Sequence, residues 1–164
     1  MRFKDKSVII TGGGGKIGKA YAVAFAKEGA KVSLPDIAGA DHVVKAIKDM
    51  GGSAISMACD VTDEKSVKAM VDETVRQFGT VDVLINNAAY FMTVWKGPFW
   101  EMTVDEFDKA MAVNVRGSWL CAKAAVPYMQ KRNNGKIIKS PPTLLSPATR
   151  TISITLLPKA RSSP

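Results

Sequence analysis

The sequence lacks any apolar run near the roughly 20 residues that a membrane-spanning helix requires, and it has only two cysteines in 164 residues. The apolar run in the first ten residues is also too short for a secretion signal. Cys59 and Cys121 show neither metal-ligand nor redox-motif spacing. These absences predict a cytoplasmic protein with free thiols, no membrane partner and no metal site.

Acidic residues are absent from residues 139–164, which hold four basic residues. The whole chain has 23 Lys and Arg against 15 Asp and Glu, so this segment carries four of the eight excess positive charges. The rest of the chain is therefore only mildly basic. It also lacks the basic stripe with interleaved aromatic residues that nucleic-acid binders use. We expect solvated surface charge and no nucleic-acid partner.

Short apolar runs alternate with helical patterns over residues 1–138. The predicted strands are Lys6–Thr11, Ala30–Leu34, Ser53–Cys59, Val81–Ile85 and Gly135–Lys139. The predicted helices are Lys16–Glu28, Ala40–Met50, Thr62–Phe78 and a region that runs from a capping box at Thr103–Glu106 to about Met129. This alternation predicts an α/β fold with a doubly wound parallel sheet, covered by helices on both faces.

Four consecutive glycines, in the stretch TGGGGKIG at Thr11–Gly18, follow the first predicted strand and open the first helix. Missing side chains let the backbone turn tightly and approach a pyrophosphate, at which the helix N-terminus directs N–H groups. A P-loop would need glycine at position 10 and Ser or Thr at position 17, where this chain has Ile10 and Ile17. The stretch therefore favours a dinucleotide-binding turn over a P-loop. A plain tight turn without a ligand is the other reading.

Asp36 follows Gly18 by 18 residues, at the end of the second predicted strand. A carboxylate at this place can accept both ribose hydroxyls of NAD and would repel the additional phosphate of NADP. Lys16 could instead meet that phosphate, so NADP stays open as the less favoured cofactor. A loop aspartate that makes only a local turn is the alternative for Asp36.

With these motifs in order, the chain resembles the short-chain dehydrogenase/reductase family over about residues 1–138. The glycine stretch is similar to the family's T-G-x-x-x-G-x-G, with Lys16 in place of the second glycine and Gly15 one place early. Further matches in register are Asp36, Cys59-Asp60-Val61, Asn86-Asn87-Ala88 and Asn114. The resemblance implies a Rossmann-type three-layer α/β/α fold, NAD(P)-dependent hydride transfer with a small alcohol or ketone, and a homo-oligomer.

The resemblance also implies roles for single residues. Asp60 would bind the adenine edge with Val61 beside it, and Asn86 to Ala88 would brace the fourth strand near the adenosine ribose. Asn114 would bend its helix and hold a water in a proton relay, which makes it the matched catalytic position. The expected cofactor-binding residues are Gly12, Gly14, Gly15, Lys16, Ile17, Gly18, Asp36, Asp60, Val61, Asn87, Ala88 and Ala89, the last of which replaces a family glycine.

The family's catalytic tyrosine and lysine, spaced Tyr-x-x-x-Lys after the fifth strand, are not found. All three tyrosines precede that strand: Tyr21, Tyr90 and Tyr128. Ser140 stands about two positions before the family's catalytic serine and is followed by two prolines, which favours a turn serine. General acid–base catalysis contributes about 10²–10⁴-fold in rate. The chain as written is therefore expected to be inactive, and the alternative to an oxidoreductase is a cofactor-binding fragment or pseudoenzyme.

Residues 139–164 differ in composition from the rest of the chain. They hold five of the eight prolines, five serines and four threonines, and neither glycine nor an aromatic residue. We predict a separate tail with a weak strand pattern at Arg150–Leu157, so that the fold is incomplete at its C-terminus. One hypothesis is a truncated or out-of-frame product, and the other is a diverged, disordered tail.

The segment Tyr90–Met102 is rich in aromatic residues. Large apolar groups outside a core usually mark a contact surface. Two interpretations stay open here: the wall of a pocket for an apolar substrate, and a subunit interface.

Overall fold

The computed structural model describes residues 1–90, 99–140 and 152–155. The strands are β1 Ser7–Ile10, β2 Lys31–Asp36, β3 Ser53–Ala58, β4 Val83–Asn86, β5 Lys136–Lys139 and β6 Ile152–Thr155. The helices are α1 Lys16–Lys27, α2 Asp41–Asp49, α3 Glu64–Phe78, α4 Val104–Met111 and α5 Ser118–Lys131. A single 3₁₀ turn, Phe99–Glu101, precedes α4.

The strands form one six-stranded sheet in the order β3-β2-β1-β4-β5-β6. The first five strands run parallel, with Val8 beside Val32 on one side and Val83 on the other. Strand β6 pairs with β5 in the antiparallel sense. The predicted parallel sheet is confirmed, but the structure adds an antiparallel strand that the sequence suggested only as a weak pattern at Arg150–Leu157.

The core has two parts, one on each face of the sheet. Successive strand residues point to opposite faces, so Val8 and Ile10 of β1 pack with α1 and α2, whereas Ile9 packs with α3 and α5. All four residues of β1 are fully buried. This double burial explains why the strands read as short continuous apolar runs in the sequence.

Two helices begin with a side-chain cap, whereas α1 and α2 begin without one. The Asp63 side chain accepts N–H groups at the start of α3, and Gly79 ends that helix in a left-handed conformation. The predicted capping box of Thr103 and Glu106 is present at α4. Helix α1 begins after Gly15 with no side-chain cap at all. Its first N–H groups therefore lack both intrahelical and side-chain partners.

The predicted helical region from Thr103 to about Met129 is helical, but it is not α-helical throughout. A π-helical segment, Ala112–Gly117, separates α4 from α5, and Asn114 lies inside it. Such segments leave backbone carbonyls without their usual helical partners and often occur at functional sites. The helical region also extends two residues beyond the predicted end, to Lys131.

Two predictions fall partly outside the described residues. Phe91 and Trp95 of the aromatic segment lie there, as do residues 141–151 and 156–164 of the tail. Within the described ranges, no helix is long and apolar enough to cross a membrane. The same ranges contain no cluster of His, Cys, Asp or Glu that could hold a metal ion.

Candidate functional site

The glycine turn is attached to the carboxyl end of β2. The N–H groups of Gly12 and Gly13 donate to the Pro35 carbonyl at 2.9 and 3.3 Å. Gly12 has a φ of 67°, in the left-handed region that disfavours side chains. The turn therefore crosses from β1 towards β2 before it enters α1.

Three glycines in the turn have no room for a side chain. A Cβ atom at Gly13 would lie 2.7 Å from the Leu34 Cβ, and one at Gly18 would lie 2.2 Å from the Gly12 carbonyl oxygen. A Cβ at Gly14 would lie 2.6 Å from the Gly39 carbonyl oxygen. At Gly15 the nearest atom would be 3.5 Å away, an ordinary contact. The bare backbone is thus a packing requirement at positions 13, 14 and 18, but not at 15.

Among the described residues, no side chain caps the N-terminus of α1. Its first i to i−4 bond runs from the Lys19 N–H to the Gly15 carbonyl, at 2.8 Å. Lys16 and Ile17 are exposed at this end. Uncapped N–H groups and the positive end of the helix dipole form an anion-binding surface, and the Lys16 side chain adds a cation on the same turn.

Asp36 ends β2 and uses both carboxylate oxygens. Oδ2 accepts the Gly14 N–H at 3.0 Å, and Oδ1 accepts the Ala38 N–H at 3.0 Å. The local turn considered from the sequence is therefore present, together with a long-range bond to the glycine turn. Each carboxylate oxygen can accept more than one hydrogen bond, so the half-exposed carboxylate keeps acceptor sites for a ligand.

A pocket of about 260 Å³ lies beside this carboxylate. It brings together six of the predicted residues: Gly12, Asp36, Asp60, Val61, Ala88 and Ala89. The Asp60 Oδ1 accepts both the N–H and the hydroxyl of Thr62 at 2.8 Å, which fixes the turn that follows β3. Lys16 and Ile17 do not line the pocket; they lie on the exposed start of α1.

The pocket has two lining residues that sequence reasoning missed, Ile37 and Val113; Cys59 belongs to the matched motif Cys59-Asp60-Val61, and Tyr90 to the aromatic segment. Ile37 is 77% exposed, directly after Asp36, and Val61 lines the same pocket. Apolar side chains of this kind suit a flat aromatic ligand. The available signal in the sequence was an isoleucine directly after the acidic residue.

Thr11 joins the ends of β1 and β4. Its hydroxyl oxygen accepts the N–H groups of Asn87 and Ala88 at 3.1 and 3.0 Å. The Asn87 side-chain amide in turn donates to the carbonyls of Thr11 and Gly12 at 3.0 and 3.2 Å. Asn87 therefore holds the glycine turn against the segment that follows β4.

Both polar atoms of the Asn114 side chain form hydrogen bonds with the backbone of a single residue. Its Oδ1 accepts the Tyr90 N–H at 2.9 Å, and its Nδ2 donates to the Tyr90 carbonyl at 3.1 Å. Its backbone carbonyl accepts the Ser118 hydroxyl at 3.0 Å. The side chain therefore positions the segment after β4, and the backbone carbonyl faces a polar group on α5.

A polar chain continues from Ser118 to the end of β5. The Lys139 ammonium donates to the Ser118 hydroxyl at 2.8 Å. The Asn86 Nδ2 donates to the Ser118 carbonyl at 3.2 Å, while the buried Asn86 Oδ1 has no hydrogen-bond partner within the part of the chain that the structure describes. Burial lowers the pKa of Lys139. Sequence reasoning missed this half-buried lysine, because no motif pointed to it.

Comparison with known proteins agrees with the fold. The family model described as short chain dehydrogenase matches residues 6–140. The chain belongs to the short-chain dehydrogenase family. This result confirms the resemblance of the N-terminal part and the Rossmann-type architecture.

Individual relatives of this short-chain dehydrogenase chain cover most of it. An uncharacterized oxidoreductase of Thermotoga maritima is 44% identical over 140 residues, 84% of this chain and 54% of that protein. The peroxisomal multifunctional enzyme A of Dictyostelium discoideum is 41% identical over 84% of this chain and 32% of its own length. A solved structure, 7 alpha-hydroxysteroid dehydrogenase complexed with NADH and 7-oxo glycochenodeoxycholic acid, has a TM-score of 0.78 at 36% identity, and covers 84% of this chain and 53% of its own.

The chain spans about half the length of the Thermotoga protein and of the solved dehydrogenase. The family match ends at residue 140, close to the predicted limit of residue 138. The activity of the full-length relatives can therefore only be proposed for this chain.

Two hydroxyl residues of this short-chain dehydrogenase chain lie apart from Asn114. The Ser140 hydroxyl is buried on the α1 face, 3.4 Å from the Tyr21 hydroxyl, and the Ser140 N–H donates to the Asn86 carbonyl. Tyr128 on α5 donates to an Asp72 carboxylate oxygen at 2.9 Å, which raises the pKa of Tyr128. The described residues do not bring either hydroxyl into the polar chain of Asn114, Ser118 and Lys139.

Proposed function

We propose that this chain binds a nicotinamide dinucleotide, with NAD preferred over NADP, as the cofactor-binding part of an oxidoreductase that acts on a small alcohol or ketone. The observation that carries the proposal is the glycine turn: three positions have no space for a Cβ atom, and an uncapped helix N-terminus stands directly behind them. This cradle fits a diphosphate, since backbone N–H groups can approach the anion without steric hindrance.

The pocket suits the adenosine half of such a cofactor. The Asp36 carboxylate keeps free lone pairs beside Gly12, and a ribose with two free hydroxyls could donate to them. Ile37 and Val61 offer apolar surface for a flat base. A 2′-phosphate in place of a hydroxyl would bring negative charge against the carboxylate, which supports NAD as the preferred cofactor.

When bound, the nicotinamide ring would supply hydride transfer. In this chain, Asn114 holds the segment after β4 in place through Tyr90, and the Thr11 hydroxyl fixes the adjacent turn. The sequence offers no Tyr-x-x-x-Lys after β5. We therefore propose that the chain as written binds the cofactor without measurable turnover, as a fragment or pseudoenzyme of the family.

An oligomer is part of the proposal. Helix α4 and the start of the α5 region expose large apolar side chains at helical spacing: Val104, Phe107, Met111, Val115 and Trp119. A stripe of this kind on a soluble surface marks a contact face. We propose self-association through this stripe. Two further predictions also stay proposals: a reducing cytoplasm, in which the buried thiols Cys59 and Cys121 stay free, and a division between residues 1–138 and the tail at 139–164.

Two assays on the same preparation test the function. NADH titration, followed by cofactor fluorescence, should show saturable binding to folded protein. Oxidation of a panel of small alcohols with NAD should show no turnover above background, because the proton-transferring tyrosine is missing. Binding without turnover supports the proposal. A rate of about 1 s⁻¹ or more, in the ordinary range of enzymes, would show that the chain is a complete oxidoreductase.

A further inference from the structure

Gly14 is the point at which the glycine turn touches the turn after β2. Its N–H donates to the Asp36 Oδ2 at 3.0 Å. A Cβ atom at this position would lie 2.6 Å from the Gly39 carbonyl oxygen and 3.1 Å from the same Asp36 oxygen. One residue therefore supplies a hydrogen bond to the carboxylate and the empty space that lets the two turns meet.

The Asp36 carboxylate has few other restraints. Its second oxygen accepts the N–H of Ala38, within the same turn. The turn is closed by the Gly39 N–H, which donates to the Asp36 carbonyl at 3.2 Å, and Gly39 has a φ of 78°. Among the described residues, the hydrogen bond from Gly14 is the one that joins the carboxylate to a residue outside its own turn. The direction of the carboxylate in the pocket therefore depends on Gly14.

We propose that Gly14 determines the choice between NAD and NADP by fixing the position of the Asp36 carboxylate, although Gly14 itself needs no contact with the ribose. The proposal rests on the proposed function. With Gly14 in place, the carboxylate stands where a ribose 2′-hydroxyl donates to it and a 2′-phosphate is repelled. A side chain at position 14 would displace the turn of residues 36–39 and turn the carboxylate away.

The neighbouring residue provides a matched control. Neither Gly14 nor Gly15 has a positive φ, so the backbone conformation at either position accepts alanine. A Cβ at Gly15 meets only the Gly12 carbonyl oxygen, at 3.5 Å. Gly14→Ala and Gly15→Ala therefore make the same chemical change one residue apart, and only the first one collides with the turn of residues 36–39.

The experiment measures NADH and NADPH affinity by calorimetry for wild type, Gly14→Ala and Gly15→Ala, with thermal melting to establish folding. We expect Gly14→Ala to weaken NADH binding by about tenfold or more, the effect of losing a hydrogen bond to a charged group. Its NADPH affinity should fall less, so that the ratio of the two affinities moves towards one. Gly15 is itself an expected diphosphate-binding residue, so Gly15→Ala can change both affinities, but it should keep the wild-type ratio because both cofactors share the diphosphate.

A second variant tests the position of the carboxylate without changing the glycine turn. Asp36→Glu keeps the charge but moves it one methylene further from the Gly14 N–H. We expect it to lose the NADH preference while it stays folded, since Asp36 is half exposed. This variant keeps the test decisive if Gly14→Ala fails to fold.

The outcomes separate the two proposals. Wild-type protein that binds neither cofactor overturns the proposed function itself. Wild-type protein that prefers NADH, together with the same NADH-to-NADPH ratio in Gly14→Ala or in Asp36→Glu, overturns the role of Gly14 and leaves cofactor binding intact. An equal loss of both cofactors in Gly14→Ala also overturns it, because the glycine would then serve the diphosphate alone.

Discussion

The carboxyl ends of β1 and β2 and those of β4 and β5 are built in different ways. At the first pair of strands, the surface is bare backbone, and a Cβ atom at Gly14 or Gly18 would collide with a carbonyl oxygen. At the second pair, the Lys139 and Ser118 side chains form a polar chain that ends on the Asn114 backbone carbonyl. We call these the backbone edge and the side-chain edge.

The difference teaches that the two edges tolerate sequence change differently. The backbone edge depends on glycines that have no Cβ atom, so a single added methyl group disturbs it. The side-chain edge depends on polar groups that can be exchanged one at a time, and it includes a buried Asn86 oxygen with no partner among the described residues. The backbone edge is the part that we propose binds a dinucleotide, whereas the family's tyrosine and lysine are missing from the sequence that follows the side-chain edge.

The largest expected effect is at Gly18 of the backbone edge. Gly18→Ala would place a Cβ 2.2 Å from the Gly12 carbonyl oxygen, so α1 must move away from the turn. We expect a loss of roughly 1–3 kcal/mol in the free energy of unfolding, as for overpacked cores, and a loss of NADH binding. Urea denaturation and NADH titration check the two effects, and Gly15→Ala, whose Cβ would make only an ordinary contact, is the control for stability. Unchanged binding would show that the close approach is not needed.

The next effect tests the link between the two edges. Thr11→Val removes the oxygen that accepts the N–H groups of Asn87 and Ala88. Leaving partly buried donors unpaired costs about 1–3 kcal/mol, and Thr11→Ser should keep most of the stability because it retains the hydroxyl. Urea denaturation of both variants measures the difference. Equal stabilities of the valine and serine variants would contradict the link.

The smallest effect is at Lys139 of the side-chain edge. Burial lowers the pKa of its ammonium group in the folded protein. The unfolded chain therefore binds more protons between the lowered pKa and the ordinary value of 10.5, so wild-type stability should rise with pH through that window. Lys139→Met should remove this rise and stabilise the protein at neutral pH by less than about 1 kcal/mol.

Denaturation between pH 7 and about pH 10.5, the ordinary lysine pKa, measures the effect. Lys136→Met is the matched control, since Lys136 lies exposed on the same strand, and it should keep the wild-type dependence on pH. A Lys139→Met protein that is less stable at neutral pH, with an unchanged pH slope, would mean that the ammonium's bond to Ser118 outweighs its burial.

Much of the fold could be predicted because its signals are local. The continuous apolar run at Val8–Ile10 indicated a strand buried on both faces, and the predicted strand Lys6–Thr11 differs from β1 by one residue at each end. The glycine stretch and Asp36 likewise carry their chemistry in the residue types themselves. Six of the predicted cofactor residues accordingly line one pocket.

Features that depend on distant contacts could not be predicted. The antiparallel pairing of β6 follows from the free edge of β5, which no local pattern encodes. The resemblance implied a bend at Asn114, but no local pattern showed that the segment around it is π-helical. Lys139 looked like a surface lysine at the end of a strand, and only the packing of α5 shows that its ammonium group is half buried beside Ser118.

The central claim is that the backbone edge binds a nicotinamide dinucleotide. Its most direct test is calorimetric titration of the folded wild-type chain with NADH and, separately, with NADPH at millimolar titrant, with folding established by circular dichroism. The account predicts saturable heat with NADH and weaker binding of NADPH. A folded protein that gives no binding heat with either cofactor would contradict it.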